Sequence, residues 1–263
     1  MVANLNKILR DKHAFFLCLD QGLEHGPRVF TRNTVDPEPL LHLALEARFS
    51  AVVLTPGVAD KYYHKAYRDV PLIVKLNGRS ELGLANPVAK QFCSVERAVK
   101  LGAAAVAYTI YDGSPAEPEM FAEFGRIVEQ AHDYNLPVIA YMYPRGEGVV
   151  ESNSDTIAYA ARIALELGAD FVKVKYNGDV PGFSWVTECA GRVKVVAADP
   201  EGLDERGVFE MVRNVLASGG SGVAFGRTVW QHPRPFAFAR AIERILYEGG
   251  SVNDALAFMQ QHS

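Results

Sequence analysis

Two families of apolar segments alternate along the chain, and together they predict eight buried β-strands. In the first family, a helix end and usually a small residue lead into a short β-rich run. Its members are 45–55, 99–109, 165–175 and 216–226. The second family consists of 14–20, 71–77, 137–143 and 193–199. Their almost continuous apolar character is typical of parallel strands that are buried on both faces.

Three copies of the first family place a glycine where the preceding helix should end. These glycines are Gly102, Gly168 and Gly219, at a position that favours a residue tolerant of positive φ. The first copy lacks this glycine and has Arg48 followed by Phe49 and Ser50, so it is the weakest of the four.

Helical patterns fill the gaps between the strands. The clearest are 36–48, 116–134, 155–167, 204–218 and 234–247. Strand and helix alternating eight times over about 250 residues predict an α/β fold of the (β/α)8 barrel type. A doubly wound open sheet is the alternative, but the first strand does not lead into the Gly-x-Gly-x-x-Gly phosphate motif of that fold. Residues 1–12 are predicted to form a helix that caps the barrel.

Composition narrows the class of protein. The 263 residues fit one large α/β domain or two small ones, and because no linker interrupts the pattern we expect one domain over 1–263. Apolar residues at 49% and a net charge of −4 fit an enzyme and argue against a nucleic-acid partner. The apolar runs are too short to span a membrane, and the polar N-terminus lacks the core of a signal peptide. Three cysteines cannot form a disulfide framework, so we expect a cytoplasmic protein.

The carboxyl ends of the predicted strands carry an unusual number of polar side chains. In a barrel these ends meet at one face, where catalytic residues collect. In chain order the residues are Asp20, His25, Thr55, Lys75, Asn77, Tyr108, Thr109, Tyr141, Tyr143, Arg145, Lys173, Lys175, Asp199, Gly226 and Arg227.

Two lysines on one strand are the strongest chemical signal. Lys173 and Lys175 are two residues apart and therefore share one face, and the valines that alternate with them suit the face packed on helices. Burial and a like-charged neighbour both lower the pKa of a lysine, which makes a neutral amine available as a nucleophile. Alternatively, one lysine reaches the rim and the other pairs with Asp20. A further inward lysine, Lys75, favours the catalytic interpretation.

Tyr143 is the candidate for proton transfer, because it lies at a strand end directly before a turn at the mouth of the barrel. Tyr141 is more easily explained as a packed aromatic residue, and Cys18 as part of the core. The histidines show no metal-ligand spacing, so we expect no catalytic zinc.

Seven motifs, in order along almost the whole chain, resemble the archaeal-type class I fructose-1,6-bisphosphate aldolases. They lie at 17–27, 76–78, 107–114, 143–146, 158–179, 183–185 and 223–231. The resemblance implies a (β/α)8 Schiff-base aldolase that acts on a phosphorylated sugar without a cofactor and forms a homo-oligomer, often a decamer.

The resemblance also assigns roles to individual residues. Lys173 matches the lysine that forms the imine, Tyr143 matches the catalytic tyrosine, and Asp20 matches an acid that contacts substrate hydroxyls. Substrate contacts are expected at His25, Tyr141, Arg145, Lys75, Gly226, Arg227 and Asp199. Among these, the resemblance places Arg145 near the distal phosphate, and the pair Gly226 and Arg227 near the phosphate of the ketone half.

The chain departs from the family pattern at two places. Gln21 stands where close relatives usually have histidine. The segment from Ala197 to Glu201 replaces a Ser-Gly-Gly-Pro-Lys motif that binds the phosphate of the ketone half, and only the proline is kept. A carboxylate at Asp199 or Glu201 would repel that phosphate by roughly 2–4 kcal/mol per close charge pair, at an effective dielectric constant of about 20.

Three outcomes stay open for the ketone half. The altered loop still binds phosphate with the help of Arg227, or the donor is an unphosphorylated ketone, or aldolase activity is lost. A transaldolase-like enzyme and a non-catalytic protein that binds sugar phosphates are the corresponding alternative functions.

Overall fold

A closed barrel of eight parallel strands forms the centre of the computed structural model, which describes residues 3–82 and 87–262. The strands are β1 (Ala14–Cys18), β2 (Ala51–Leu54), β3 (Leu72–Lys75), β6 (Ala103–Ile110), β7 (Val138–Met142), β8 (Phe171–Val174), β9 (Lys194–Ala198) and β10 (Gly222–Phe225). Around the barrel their order is β1, β10, β9, β8, β7, β6, β3 and β2. Each predicted strand segment overlaps one barrel strand, so the (β/α)8 prediction is confirmed. The two-residue strands β4 (Asn77–Gly78) and β5 (Lys90–Gln91), which pair antiparallel above β3, were not predicted.

Helices surround the barrel and cover its strands. They are α1 (Gln21–His25), α2 (Pro37–Glu46), α3 (Pro56–Tyr62), α4 (Val95–Lys100), α5 (Glu117–Asp133), α6 (Ser154–Glu166), α7 (Val180–Cys189), α8 (Glu205–Ala217), α9 (Arg227–Trp230), α10 (Pro235–Glu248) and α11 (Val252–Gln261). The five helical patterns in the sequence correspond to α2, α5, α6, α8 and α10. Within the described ranges, no helix is long and apolar enough to cross a membrane.

The N-terminal segment differs from its prediction. Instead of a helix over 1–12, the chain makes a single 3-10 turn at Leu5–Lys7, capped by the Asn4 side chain. Positive φ angles at Asp11 and Lys12 turn the backbone out of a helical path. The Ile8 side chain is fully buried within the apolar cluster inside the barrel, so the segment still covers one end of the barrel. Met1 and Val2 lie outside the described residues.

Side chains on each strand divide between two cores. On β8, Val172 and Val174 pack in the cluster between the barrel and the helices, whereas Phe171 belongs to the cluster inside the barrel. Lys173 therefore points into the barrel, as the alternating pattern predicts. The register places Lys173 directly beside Tyr141 of β7 on one side and Val196 of β9 on the other.

Candidate active site

A cavity opens at the carboxyl ends of the barrel strands. It is lined by every predicted site residue except Lys75 and Gly226. The loops after β1, β7, β8, β9 and β10 all contribute to it, as expected when the ends of parallel strands converge.

Lys173 lies at the base of this cavity, with only 4% of the residue exposed. Its Nζ is 4.5 Å from the centroid of the Tyr141 ring, an arrangement in which the aromatic face attracts the ammonium group. The same Nζ donates to Cys18 Sγ over 3.6 Å. Cys18 is fully buried, as its prediction as a core residue requires, but it also contacts the candidate nucleophile, which its apolar sequence context did not indicate.

The pKa shift of Lys173 has the opposite direction to the predicted one. Burial lowers the pKa of the ammonium group, but the ionisable groups around it together raise the pKa above its ordinary value. In order of effect these groups are Cys18, Tyr143, Asp20 and Asp199. Burial raises the pKa of both the thiol and the phenol to about 12, so both groups are neutral at neutral pH, and burial also raises the pKa of the Asp199 carboxyl. Asp20 and Asp199 thus favour the ammonium form of Lys173, which must lose a proton before the amine attacks a carbonyl carbon.

Lys75 is the lysine with the lowered pKa. Burial lowers its pKa to about 8, in spite of the opposing effects of Asp20 and Glu24. Its Nζ donates to the backbone oxygen of Asn77 over 2.9 Å and to its Oδ1 over 3.0 Å, and lies 5.3 Å from the Tyr141 ring centroid. The predicted contact between Lys75 and substrate has no support in this geometry, because the amine lies outside the cavity lining and is bonded within the protein.

Tyr143 and Tyr141 stand in different environments although they are two residues apart. Tyr143 is half-buried at the mouth, and burial raises the pKa of its phenol to about 12 although Lys173 opposes that shift. It is therefore a proton donor at neutral pH. Tyr141 is 2% exposed, and its hydroxyl lies 3.9 Å from Cys18 Sγ. This position agrees with the interpretation of Tyr141 as a packed aromatic residue, but its ring also contacts Lys75 and Lys173.

The side of the mouth next to β7 is cationic. Arg145 and Arg79 both lie over the Tyr111 ring, with guanidinium carbons 5.2 and 5.7 Å from its centroid. Within the described part of the chain, the Nε of each arginine is buried without a hydrogen-bond partner. Glu151 lies nearby, 2.8 Å from Lys175 Nζ and 3.5 Å from Arg145 Nε. Sequence reasoning missed Arg79, although it follows the Leu-Asn-Gly motif at the end of a predicted strand.

The opposite side of the mouth is organised around Asp199. Its carboxylate accepts hydrogen bonds from the backbone amides of Gly226, over 2.8 Å, and Arg227, over 3.0 Å. Gln21 Nε2 donates to the same carboxylate over 3.1 Å. The Gly226 and Arg227 pair, which was expected to help hold a substrate phosphate, thus has its amides bonded to a carboxylate of the protein itself. Gly226 must be glycine here, because an added Cβ would collide with Gln21 and with the Cys18 carbonyl oxygen.

Asp20 and His25 complete the rim. Asp20 immediately precedes α1 and lines the cavity, and among the described residues no ion pair within 4.0 Å joins it to a lysine. The alternative in which a lysine is neutralised by Asp20 is therefore not observed. His25 Nδ1 lies 2.8 Å from Glu81 Oε1, and burial lowers the pKa of this histidine. In residues 3–82 and 87–262, no three or more His, Cys, Asp and Glu side chains are grouped as metal ligands.

The sequence pattern of the DeoC/LacD family aldolases matches residues 15–232. The chain belongs to this family. The aldolase is 46% identical to the fructose-bisphosphate aldolase class 1 of Thermoproteus tenax over 247 residues, covering 92% of this chain and 93% of that protein. It is 42% identical to the fructose-bisphosphate aldolase class 1 of Halobacterium salinarum over 252 residues, or 95% and 96% of the two chains.

Solved structures give the same result. An archaeal fructose-1,6-bisphosphate aldolase, with its catalytic lysine covalently bound to the carbinolamine intermediate of the substrate, superposes with a TM-score of 0.88. The two chains are 45% identical, over 92% of this aldolase and 97% of that chain. The resemblance inferred from the seven motifs is therefore confirmed.

Proposed function

We propose that the protein is a class I aldolase that cleaves and forms ketose phosphates, in the manner of the fructose-1,6-bisphosphate aldolases to which it is similar, with Lys173 as the nucleophile. The observation that carries this proposal is that Lys173, a buried lysine, lies at the base of the barrel mouth and lines its cavity. The same cavity is lined by Tyr143, Asp20 and Arg145, which lies on the cationic side of the mouth. Family membership and the reaction named for the relatives support it.

Imine formation is the first chemical stage. Lys173 loses a proton to water, which can pass it to the carboxylate of Asp20, and its neutral amine attacks the ketone carbon of the sugar to form a carbinolamine. The same proton returns to the carbinolamine hydroxyl, and loss of water gives a protonated imine, which withdraws electrons from the adjacent carbon. This cation does the work that a metal ion does in metal-dependent aldolases, so no cofactor is invoked. Asp20 and Asp199 stabilise the iminium charge as they stabilise the ammonium charge.

Cleavage of the carbon–carbon bond follows from the imine. A base takes the proton of the C4 hydroxyl, the C3–C4 electron pair moves into the imine, and an enamine remains on Lys173 while the aldehyde leaves. Tyr143 then donates its phenolic proton to the enamine carbon, which its protonated state at neutral pH allows. The phenolate formed in this step is a base for the water that hydrolyses the imine. The Arg145 side chain, which lines the cavity, holds the phosphate of the aldehyde half.

Lysine substitutions test the nucleophile. We expect Lys173→Met to abolish both cleavage of a ketose phosphate and inactivation by borohydride in the presence of substrate, because no imine can form. Lys175→Met is the matched control on the same strand. It should remain sensitive to borohydride and show a raised KM, because Lys175 lies at the rim. Equal inactivation of Lys173→Met and the unmodified enzyme would contradict the proposal.

We also propose a homo-oligomeric assembly, which the family resemblance implies. Two large apolar side chains, Tyr159 on α6 and Trp185 on α7, are 69% and 50% exposed in the single chain, and such residues are enriched at interfaces. Light scattering should give a mass that is a multiple of 28.8 kDa. A monomeric mass at micromolar concentration would contradict this assembly.

A further inference from the structure

The active-site cavity has two walls, one next to β7 and one next to β9, and the polar groups of the two walls have different partners within the protein. On the side next to β7, the side chains of Arg145 and Lys175 face the Glu151 carboxylate, at 3.5 and 2.8 Å. On the side next to β9, the amides of Gly226 and Arg227 are bonded to Asp199. Both walls thus hold a carboxylate of the protein, Glu151 on one and Asp199 on the other, and they differ in how firmly that carboxylate is held.

The barrel order fixes how a substrate bound to Lys173 spans these walls. Lys173 is on β8, which lies between β7 and β9. Arg145 follows β7 and Asp199 follows β9, and both line the cavity together with Lys173. A ketose joined to Lys173 through its carbonyl carbon therefore has Arg145 on one side and Asp199 on the other, and the family resemblance assigns the phosphate of the aldehyde half to the Arg145 side.

Asp199 is well placed to resist displacement. It directly follows the last residue of β9, and its carboxylate receives three hydrogen bonds, two of them from backbone amides. Glu151, the carboxylate on the cationic wall, differs in both respects. It belongs to the loop between β7 and α6, its side chain is 35% exposed, and its partners are flexible lysine and arginine side chains. A ligand phosphate can therefore replace Glu151 far more easily than Asp199.

A second carboxylate adds to the negative charge at this end. Glu201 lines the same cavity two residues after Asp199. A phosphate ester at this end would be a dianion next to two carboxylates. The backbone amides of Gly226 and Arg227 could not bind it, because they already donate to Asp199. A free hydroxyl carries no charge and can donate a hydrogen bond to the Asp199 carboxylate.

We propose that Asp199 is a specificity-determining residue, which selects ketoses and ketone donors with a free hydroxyl, rather than a phosphate, on the carbon next to the carbonyl. The inference rests on the proposed function, because it assumes that the substrate is held as an imine on Lys173. It refines that function by separating the two ends of the substrate. The phosphate of the aldehyde half binds at Arg145, and the ketone half enters unphosphorylated.

Paired substrates test this assignment. The ratio of kcat/KM for fructose 6-phosphate to kcat/KM for fructose 1,6-bisphosphate isolates the phosphate on C1, and effects on Lys173 common to both substrates cancel in it. We expect the unmodified enzyme to favour fructose 6-phosphate at least tenfold. Asp199→Asn should shift the ratio at least tenfold towards the bisphosphate, since the amide removes the charge and preserves a hydrogen-bond acceptor.

Two further variants act as controls. Asp199→Gly removes the acceptor as well as the charge and should shift the ratio in the same direction, and more strongly, provided that it folds. Glu210→Gln removes one negative charge from an exposed position on α8 and should leave the ratio unchanged.

Borohydride trapping separates the possible failures. If neither dihydroxyacetone nor its phosphate is trapped on Lys173 in the unmodified enzyme, the proposed function itself fails. If trapping occurs but the unmodified enzyme prefers the bisphosphate, or Asp199→Asn leaves the ratio unchanged, the role of Asp199 is overturned and the aldolase assignment stands.

Discussion

Lys173 illustrates how one residue combines opposing influences on its pKa. The barrel interior desolvates its amine, which favours the neutral form, but groups on three other strands or strand ends favour the cation. The alternating pattern in the sequence was sufficient to predict that Lys173 points inward. It could not predict the direction of the pKa shift, because Asp20 and Asp199 are far away in sequence and come close only when the barrel closes.

Substitution of a single residue can separate proton donation by Tyr143 from imine formation on Lys173. We expect Tyr143→Phe to lower kcat by about 10²–10⁴-fold, because the enamine loses its proton donor. Borohydride should still trap a ketone on Lys173 in this variant, since the amine is unchanged. Single-turnover cleavage and trapping, measured side by side, provide the check.

Tyr141→Phe is the matched control for that substitution. It keeps the aromatic ring beside Lys173 and removes only the hydroxyl near Cys18, so kcat should stay within about tenfold of the unmodified enzyme. A Tyr143→Phe variant that turns over as fast as Tyr141→Phe would remove Tyr143 from the mechanism.

At the scale of the element, the helix–strand repeat is the feature that the sequence predicts best. Gly102, Gly168 and Gly219 adopt φ angles of 87°, 86° and 85°, as expected for residues that end helices. Arg48, at the same place in the first copy, adopts a φ of 53°. The first copy thus keeps the backbone turn without glycine. The short elements α1, α9 and the β4–β5 pair were not predicted, because elements of two to five residues show no periodicity.

Two glycine-to-alanine substitutions test whether a positive φ angle is the reason for glycine at the helix ends of this repeat. Gly102→Ala should lower the free energy of unfolding by about 1–2 kcal/mol, because an added Cβ has open space but the positive φ becomes strained. Gly125→Ala, in the middle of α5 and equally free of contacts, should raise it by about 0.5–1 kcal/mol through helix propensity. Urea denaturation at fixed protein concentration measures both. Changes of the same sign would show that backbone conformation does not decide the outcome.

On the scale of the whole molecule, closure of the barrel brings charged side chains from distant parts of the sequence together at one mouth. The net charge of −4 says nothing about their arrangement. The structure shows cationic side chains after β7, β8 and β10, and carboxylates after β1 and β9, in the lining of one mouth, with the Glu151 carboxylate beside the cations after β7 and β8. The order of the strands follows from the alternating pattern, so this mouth and most of its residues could be predicted. The bonds from Asp199 to Gly226 and Arg227 could not, since they depend on the precise positions of two loops.

The central claim is that Lys173 forms the imine, and mapping the covalent adduct tests it most directly. The enzyme is treated with dihydroxyacetone or a ketose phosphate, reduced with borohydride, digested and examined by mass spectrometry. We predict one adduct per chain, on the peptide that contains Lys173, and no adduct in Lys173→Met. An adduct on Lys75 or Lys175, or one that persists in Lys173→Met, would contradict the account.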